Sequence, residues 1–280
     1  MIFSNKTVII TGGSKGVGKA AACLFAEAGA NLMLVARSKK NLDAIAEELR
    51  SKTQVEVFAM DVSNKDACVD LFKKVAFEFG RVDILINNAG YHSRGPFKDI
   101  DIGDLEKMVD VNLKAPIVLS RIALPYLKEA GGGAIINVGS LAGRAPIPGS
   151  VSYAATKAGL RSFSYGLGME LAEDNIKVAV VSPGPIDTGF IMADIDATSD
   201  LTFSQPMSTA DEVAQAILDL CGNRIREQSM PPMSGWLTTM AYLFPWLNPK
   251  LRPMLERKGA RVKAKLKAER KRCESDSPDH

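Results

Sequence analysis

The 280-residue chain has little of what most metal and nucleophile sites are built from. Its only histidines are His92 and His280. A His-ligated zinc site and a Ser-His-Asp triad therefore both lack material, unless His92 serves every role. The four cysteines, Cys23, Cys68, Cys221 and Cys273, lie far apart with no CxxC pair. That argues against a metal cluster or disulfide framework, and for a reducing compartment, the cytoplasm. The start, MIFSNKTVII, shows no charged region ahead of a long apolar run, so no signal peptide is read there. No internal repeat stands out, and no low-complexity linker precedes the tail.

Hydrophobic residues make up 46% of the chain and charged residues 24%, which suits one large core and not wholesale disorder. The net charge of +3 is unevenly placed. Residues 250–272 carry eleven Lys/Arg against Glu256 and Glu269, a local +9, and the last eight residues contribute −3. The body is nearly neutral and the tail is basic.

Apolar, β-branched runs alternate with helical patterns. Strands are expected at 7–11, 31–36, 55–60, 82–86, 134–138 and 177–181, with a short candidate at 225–230. Helices are expected at 17–30, 40–50, 65–79, 105–130, 152–173 and 210–221, with Gly29 and Gly80 as stops. Strict alternation predicts an α/β, doubly wound Rossmann fold: a parallel sheet of about seven strands with helices on both faces. Ligands bind beyond the carboxyl ends of such strands.

The first strand runs into Gly12-Gly13-Ser14-Lys15-Gly16-Val17-Gly18. Glycines let a backbone approach a pyrophosphate, and the next helix offers free N–H groups to it. The spacing G-x-x-x-G-x-G departs from G-x-G-x-x-G, so the loop alone is a weak signal. The second strand ends at Arg37 with no carboxylate. A basic residue there accommodates a 2′-phosphate, and Lys15 adds a second positive charge; the expected cofactor is NADP(H). The plain alternative is that both are solvated surface charges.

Tyr153 and Lys157 are four apart on one helix and share a face. A free phenol titrates near pH 10, and a neighbouring ammonium lowers that value. Ser140, at the end of the fifth strand, offers a hydroxyl to hold a substrate oxygen beside the phenol. Together they can protonate an alkoxide formed by hydride addition.

With these residues in order, the chain resembles the short-chain dehydrogenase/reductase family from about residue 6 to 188. The likeness runs through the glycine loop, Asp61-Val62, Asn87-Asn88-Ala89-Gly90, Asn112 in DVNLKAP, Ser140, Tyr153-x-x-x-Lys157 and the loop from Ser182 through Pro183, Ile186 and Thr188. The resemblance implies an oxidoreductase on CH–OH donors. Tyr153 is then the general acid or base. Lys157 lowers its pKa and binds the nicotinamide ribose. Ser140 orients the substrate oxygen, and Asn112 supports a water-linked proton relay. Asp61 and Val62 contact adenine, Asn88, Ala89 and Gly90 line the cofactor cleft, and Pro183, Ile186 and Thr188 sit by the carboxamide. Asn112 could instead bridge helix backbone groups, Ser140 could be a turn hydroxyl, and His92 is read as lining a loop near the substrate. A face of Phe163, Tyr165, Leu167 and Met169 reads as core or subunit interface, and a homo-oligomer, dimer or tetramer, is expected.

Residues 1–233 are read as the dinucleotide-binding and catalytic domain, and 234–280 as its extension. Both tryptophans fall in 235–247, an apolar aromatic stretch too short to span a bilayer and interrupted by Pro245. It resembles C-terminal extensions of family members acting on steroids, retinoids or long-chain lipids, which implies an apolar substrate. Three readings stand open: a cap over an apolar pocket, a membrane-docking element through 235–272, or extra core. The basic run favours anionic lipid or simply keeps a helix solvated. Its few aromatics argue against nucleic acid. An alternative for the whole chain is a binding protein or redox sensor that holds NADP(H) without turnover.

Overall fold

A computed structural model describes residues 3–189, 195–196, 198–244, 246 and 248–275, the side chains of 248 and 269–275 excepted. Strand β1 (Thr7–Thr11) is buried at every position, as a central strand covered on both faces must be. Beside it lie β2 (Asn31–Ala36), β3 (Val55–Ala59), β4 (Ile84–Asn87), β5 (Gly133–Val138), β6 (Ile176–Pro183) and β7 (Glu227–Met230). The sheet order is β3-β2-β1-β4-β5-β6-β7, and every pairing is parallel. The chain winds outward from β1 to β3, then returns to β4 on the other side of β1. A crevice opens at that reversal, beyond the carboxyl ends of β1 and β4.

The period of two along each strand feeds two cores. Val8, Ile10, Leu32 and Leu34 pack under α1 (Gly16–Glu27), α2 (Lys39–Leu49) and α7 (Ala210–Gly222). Ile9, Met33, Val35 and Leu85 pack under α3 (Lys65–Phe79) and α5 (Ala115–Glu129). Local chemistry sets the helix ends. Asn64 Oδ1 caps α3 by accepting from Asp66 N and Ala67 N, and Gly80 closes it at φ +72°. Thr209 and Glu212 form a reciprocal capping box on α7.

Several boundaries differ from the sequence reading. The first helix stops at Glu27, and Gly29 (φ +85°) leads into β2. The long helix expected at 105–130 is three pieces: α4 (Ile102–Val109), a π-helical turn Asp110–Lys114, and α5. Helix α6 (Val151–Glu170) ends earlier than 173. The short candidate strand at 225–230 is the sheet's last strand, β7, in register with β6. The aromatic stretch is helical through α8 (Pro232–Leu243), and the basic tail forms α9 (Asn248–Ser275). Pro245 and His280 lie outside the described residues. Among those described, no helix is long and apolar enough to cross a membrane.

Candidate active site

The glycine loop sits at the crevice. Gly12 and Gly16 take left-handed backbones, φ +68° and +53°. A Cβ on Gly18 would lie 2.1 Å from the Gly12 carbonyl oxygen, so any larger residue would push the start of α1 off the loop. Lys15, exposed at the N-cap, gives α1 no side-chain cap. The first-turn N–H groups are thus left to an anion. Ser14 is half-buried, and Val17 and Gly18 are buried against the sheet. A cradle this close, with uncapped N–H groups at its rim, fits a dinucleotide pyrophosphate.

Beyond β2, Arg37 is exposed. Beyond β3, Asp61 accepts hydrogen bonds from Ser63 N (3.0 Å) and Ser63 Oγ (2.7 Å). Burial works to raise the Asp61 carboxyl, but those bonds and the charges of Arg37 and Lys107 hold it below its ordinary value. Val62 beside it is buried. The turn after β4 is tied to β1 by a residue the sequence reading did not single out. Thr11 Oγ1 accepts from Asn88 N and Ala89 N (3.0 Å each), while Asn88 Nδ2 donates to the Thr11 carbonyl (2.9 Å). Gly90 follows, exposed at the rim.

Ser140, Tyr153 and Lys157 meet on one cavity of about 1340 Å³, which also takes in Gly12, Lys15, Gly16, Val17, Asn88, Ala89 and Gly90. Pro183, Ile186 and Thr188 close its far wall, and Thr188 lies over Gly16. Arg37, Asp61 and Val62 lie outside its lining, toward the end of the crevice past β2 and β3. Ser140 is the N-cap of a 3-10 turn, Leu141–Arg144, where its Oγ accepts from Ala142 N (3.1 Å).

The proton balance differs from the expectation. Burial pushes the Tyr153 phenol above its ordinary value, while a hydrogen bond with Ser140 and the charge of Arg94 act the other way. Lys157 does not reverse this. Its Nζ lies 5.7 Å from the Tyr153 ring centre and donates to the Val138 carbonyl (2.7 Å), and burial lowers the amine to about 8. His92 lies closer to the chemistry than a loop-lining role suggested. Its ring stacks on Tyr153 at 4.0 Å and 13°. Burial, with the charges of Arg94 and Lys157, lowers the imidazole to about 3, so it is neutral at physiological pH.

Asn112 is fully buried in the π-helical turn, outside the cavity lining. Its Oδ1 accepts from Tyr91 N (2.8 Å), and its Nδ2 donates to the Tyr91 carbonyl (2.7 Å) and to Thr156 Oγ1 (3.3 Å). The backbone it bridges is that of the loop after β4, not of a helix.

A family model described as short chain dehydrogenase matches residues 6–198. The chain belongs to the short-chain dehydrogenase family. It is an oxidoreductase acting on alcohol and carbonyl groups, in a family that uses NAD(P). Among curated relatives, sulfoacetaldehyde reductase 2 of Chromohalobacter salexigens is 36% identical over 241 residues, covering 82% of this chain and 95% of the relative. An uncharacterised oxidoreductase of Staphylococcus aureus is 33% identical over 232 residues, 83% of this chain and 99% of the relative. Among solved structures, an L-sorbose reductase from Gluconobacter frateurii complexed with NADPH and L-sorbose superposes with a TM-score of 0.72 at 29% identity, covering 82% of this chain and 95% of that one. Levodione reductase shares the fold at a TM-score of 0.75 and 23% identity, with 81% and 96% covered.

The family match ends at residue 198, yet this short-chain dehydrogenase completes its cavity with residues beyond that point. Leu237, Met240 and Ala241 of α8 and Leu251, Met254 and Leu255 of α9 line it. Outside that lining, Trp236, Tyr242 and Leu243 of α8 are exposed. Helix α9 is seated by Gly259, where a Cβ would overlap the Asp200 carbonyl, and by Val262 and Leu266 packing on Ile195 and Phe203. The expected apolar face of α6 is divided: Leu167 joins the core, Tyr165 is hydrogen-bonded and Met169 is exposed.

A buried ionic cluster beside the cavity carried no sequence signal. Glu227 of β7 accepts from Arg161 Nε (2.9 and 3.0 Å), Tyr165 OH (2.9 Å) and Ser182 Oγ (2.8 Å), and pairs with Arg144 Nη1 at 2.6 Å. Burial works to raise its carboxyl, but Arg161, Arg144 and Ser182 hold it down at about 2. A glutamate in a four-residue strand has no spacing rule to mark it.

Proposed function

We propose that this enzyme uses NADPH to reduce an apolar ketone or aldehyde, of lipid, sterol or retinoid type. The observation that carries the reading is the meeting of Ser140, Tyr153 and Lys157 on one cavity walled by Leu, Ile, Pro and Met side chains. The dinucleotide, when bound, supplies the hydride. Ser140 holds the substrate oxygen, and Tyr153 gives it the proton. A phenol kept protonated by burial suits that direction. Lys157 binds the nicotinamide ribose and, as an amine lowered to about 8, can pass on a proton near neutral pH. Asn112 supports a water-linked proton relay, and its bond to Thr156, whose hydroxyl donates to the Tyr153 carbonyl (2.8 Å), ties it to the first turns of α6. Gly12, Ser14, Lys15, Gly16, Val17 and Gly18 hold the phosphates, and Asp61 and Val62 the adenine. Asn88, Ala89 and Gly90 line the cleft, with Pro183, Ile186 and Thr188 at the carboxamide. Arg37 and Lys15 favour the 2′-phosphate. The NADPH bound by the L-sorbose reductase relative supports that choice.

The test is NADPH consumption across a panel of ketones and aldehydes, with Tyr153→Phe as control. Turnover in the variant should fall by about a hundredfold or more with NADPH binding retained. Normal turnover in Tyr153→Phe would defeat the mechanism.

Residues 234–280 act in this reading as an extension of the catalytic domain, and the enzyme is a homo-oligomer. A specific observation favours peripheral membrane contact as well. Exposed Trp236, Tyr242, Leu243 and Trp246 lie next in sequence to Lys250, Arg257, Lys258 and Arg261, and Lys250 sits over the Trp246 ring.

A further inference from the structure

Four elements shape the substrate side of the cavity: the Ser140 turn, α6 with Tyr153 and Lys157, the loop that begins at Pro183, and α8. All four are joined at one carboxylate. Arg144, which pairs with Glu227, lies four residues after Ser140 at the end of the same turn. Arg161 lies one helical turn after Lys157 on α6. Ser182 immediately precedes Pro183. The second terminal nitrogen of Arg144 donates to the Gly235 carbonyl (3.2 Å) and Thr239 Oγ1 (2.6 Å), which seats α8. The turn cannot drift on its other side either. A Cβ on Gly143 would lie 2.6 Å from the backbone carbon of Lys157.

We infer that Glu227, acting through Arg144, is a positioning residue that sets Ser140 and α8 relative to Tyr153. The Glu227 side chain is 5% exposed and that of Arg144 13%, so neither is a solvated surface charge. A carboxylate removed from water needs its lone pairs filled, and here each is filled from an element bearing a group of the site. Its geometry is over-determined, as preorganised sites require. The glycine loop, Arg37 and Asp61 make no contact with this cluster among the described residues. Substrate handling is therefore separable from binding of the pyrophosphate and adenosine parts of the cofactor.

The assay rests on the reductase reading, so the experiment has a second readout that does not. Full-length Arg144→Met, Arg144→Lys and Thr239→Val would be compared with wild type on a short and a long methyl ketone. NADPH affinity would be measured in parallel. Arg144→Met should lower kcat on both ketones by about tenfold to a hundredfold, with NADPH affinity within about twofold. Arg144→Lys should recover part of that loss. Thr239→Val, which frees α8 alone, should raise KM for the long ketone several-fold and leave kcat on the short one within about twofold. Unchanged kcat and KM in Arg144→Met and Thr239→Val would overturn the inference. So would an NADPH affinity that falls in step with kcat. If Arg144→Met does not fold, Arg144→Lys carries the kcat test and Thr239→Val the KM test. If the wild type reduces neither ketone, the reductase reading is what fails, and amide hydrogen exchange decides the inference. Arg144→Met, or Arg144→Lys in its place, must speed exchange in residues 140–144 and 232–243 together; a change in only one segment, or in none, overturns it.

Discussion

Tyr153, Lys157 and His92 show how burial sets three residues at once. Desolvation disfavours whichever form is charged, so it raises the phenol and lowers the amine and the imidazole. The four-residue spacing of Tyr153 and Lys157 was legible in sequence; which of them burial would govern was not. His92 is the clearest case. A lone histidine after Asn-Asn-Ala-Gly has no spacing partner, and only the fold lays its ring on Tyr153. Arg37 is the opposite case, since its place at the end of β2 follows from strand and loop order alone. Arg37→Asp should shift preference from NADPH toward NADH by about tenfold or more, read as the ratio of kcat/KM values. An unchanged ratio would remove Arg37 from cofactor selection. Gly18→Ala tests the loop, because its new methyl would collide with the Gly12 carbonyl. NADPH affinity should fall by about tenfold or more, and wild-type affinity would mean that the loop does not hold the phosphates.

At the scale of elements, most of the strand and helix pattern was legible because each obeys a local rule: a buried apolar run, a side-chain cap, a left-handed glycine. The π-helical turn obeys none. It exists because Asn112 must face inward to hold both ends of the Tyr91 peptide, a tertiary demand placed on a helical sequence. The join of β7 to α6 and the Ser140 turn is tertiary in the same way, and it has a pH signature. The Glu227 carboxyl is held at about 2 against an ordinary 4.5. Its folded value is depressed, so its contribution is full above 4.5 and is lost as pH falls toward 2. It is on the order of 3 kcal/mol. Glu227→Gln should therefore be much less stable than wild type near pH 6, and most of the gap should be gone by about pH 2.5. Denaturant unfolding at both values reads this directly. A gap that stays constant would mean that the charge is not its source.

For the whole molecule, the two C-terminal helices wall the cavity on one side and present apolar and basic side chains on the other. Both tryptophans of the chain are on that outer side, exposed at 63% each. Intrinsic fluorescence therefore reports it without a label. Vesicles containing anionic lipid should shift the emission to shorter wavelength, and added salt should weaken the effect. Reversing Arg257 and Arg261 to Glu should lower partitioning by at least about tenfold, since each cation near such a surface contributes about 1 kcal/mol. Emission unmoved by anionic vesicles would remove the membrane reading. A shift that grows with protein concentration in the absence of lipid would assign the face to subunit contact.

By itself the sequence determined the parallel doubly wound sheet, and it pointed to the glycine loop and to Ser140, Tyr153 and Lys157 as one candidate site. Each is set by a short-range pattern: alternation of strand and helix, backbone freedom at glycine, and residues four apart on one helix. Only the tertiary structure decided which groups surround them. The stacking of His92 on Tyr153, the tie from Thr11 to Asn88, and the meeting of Arg144, Arg161 and Ser182 at Glu227 join residues far apart in the chain, by 45 to 83 positions at Glu227 and Ser182 or Arg144. No local spacing encodes such contacts. The Thr11 tie follows from the pairing of β1 with β4, and the Glu227 cluster from a sheet order that brings β6 and β7 beside the helix that carries Tyr153, where a buried carboxylate must find every partner it lost with water.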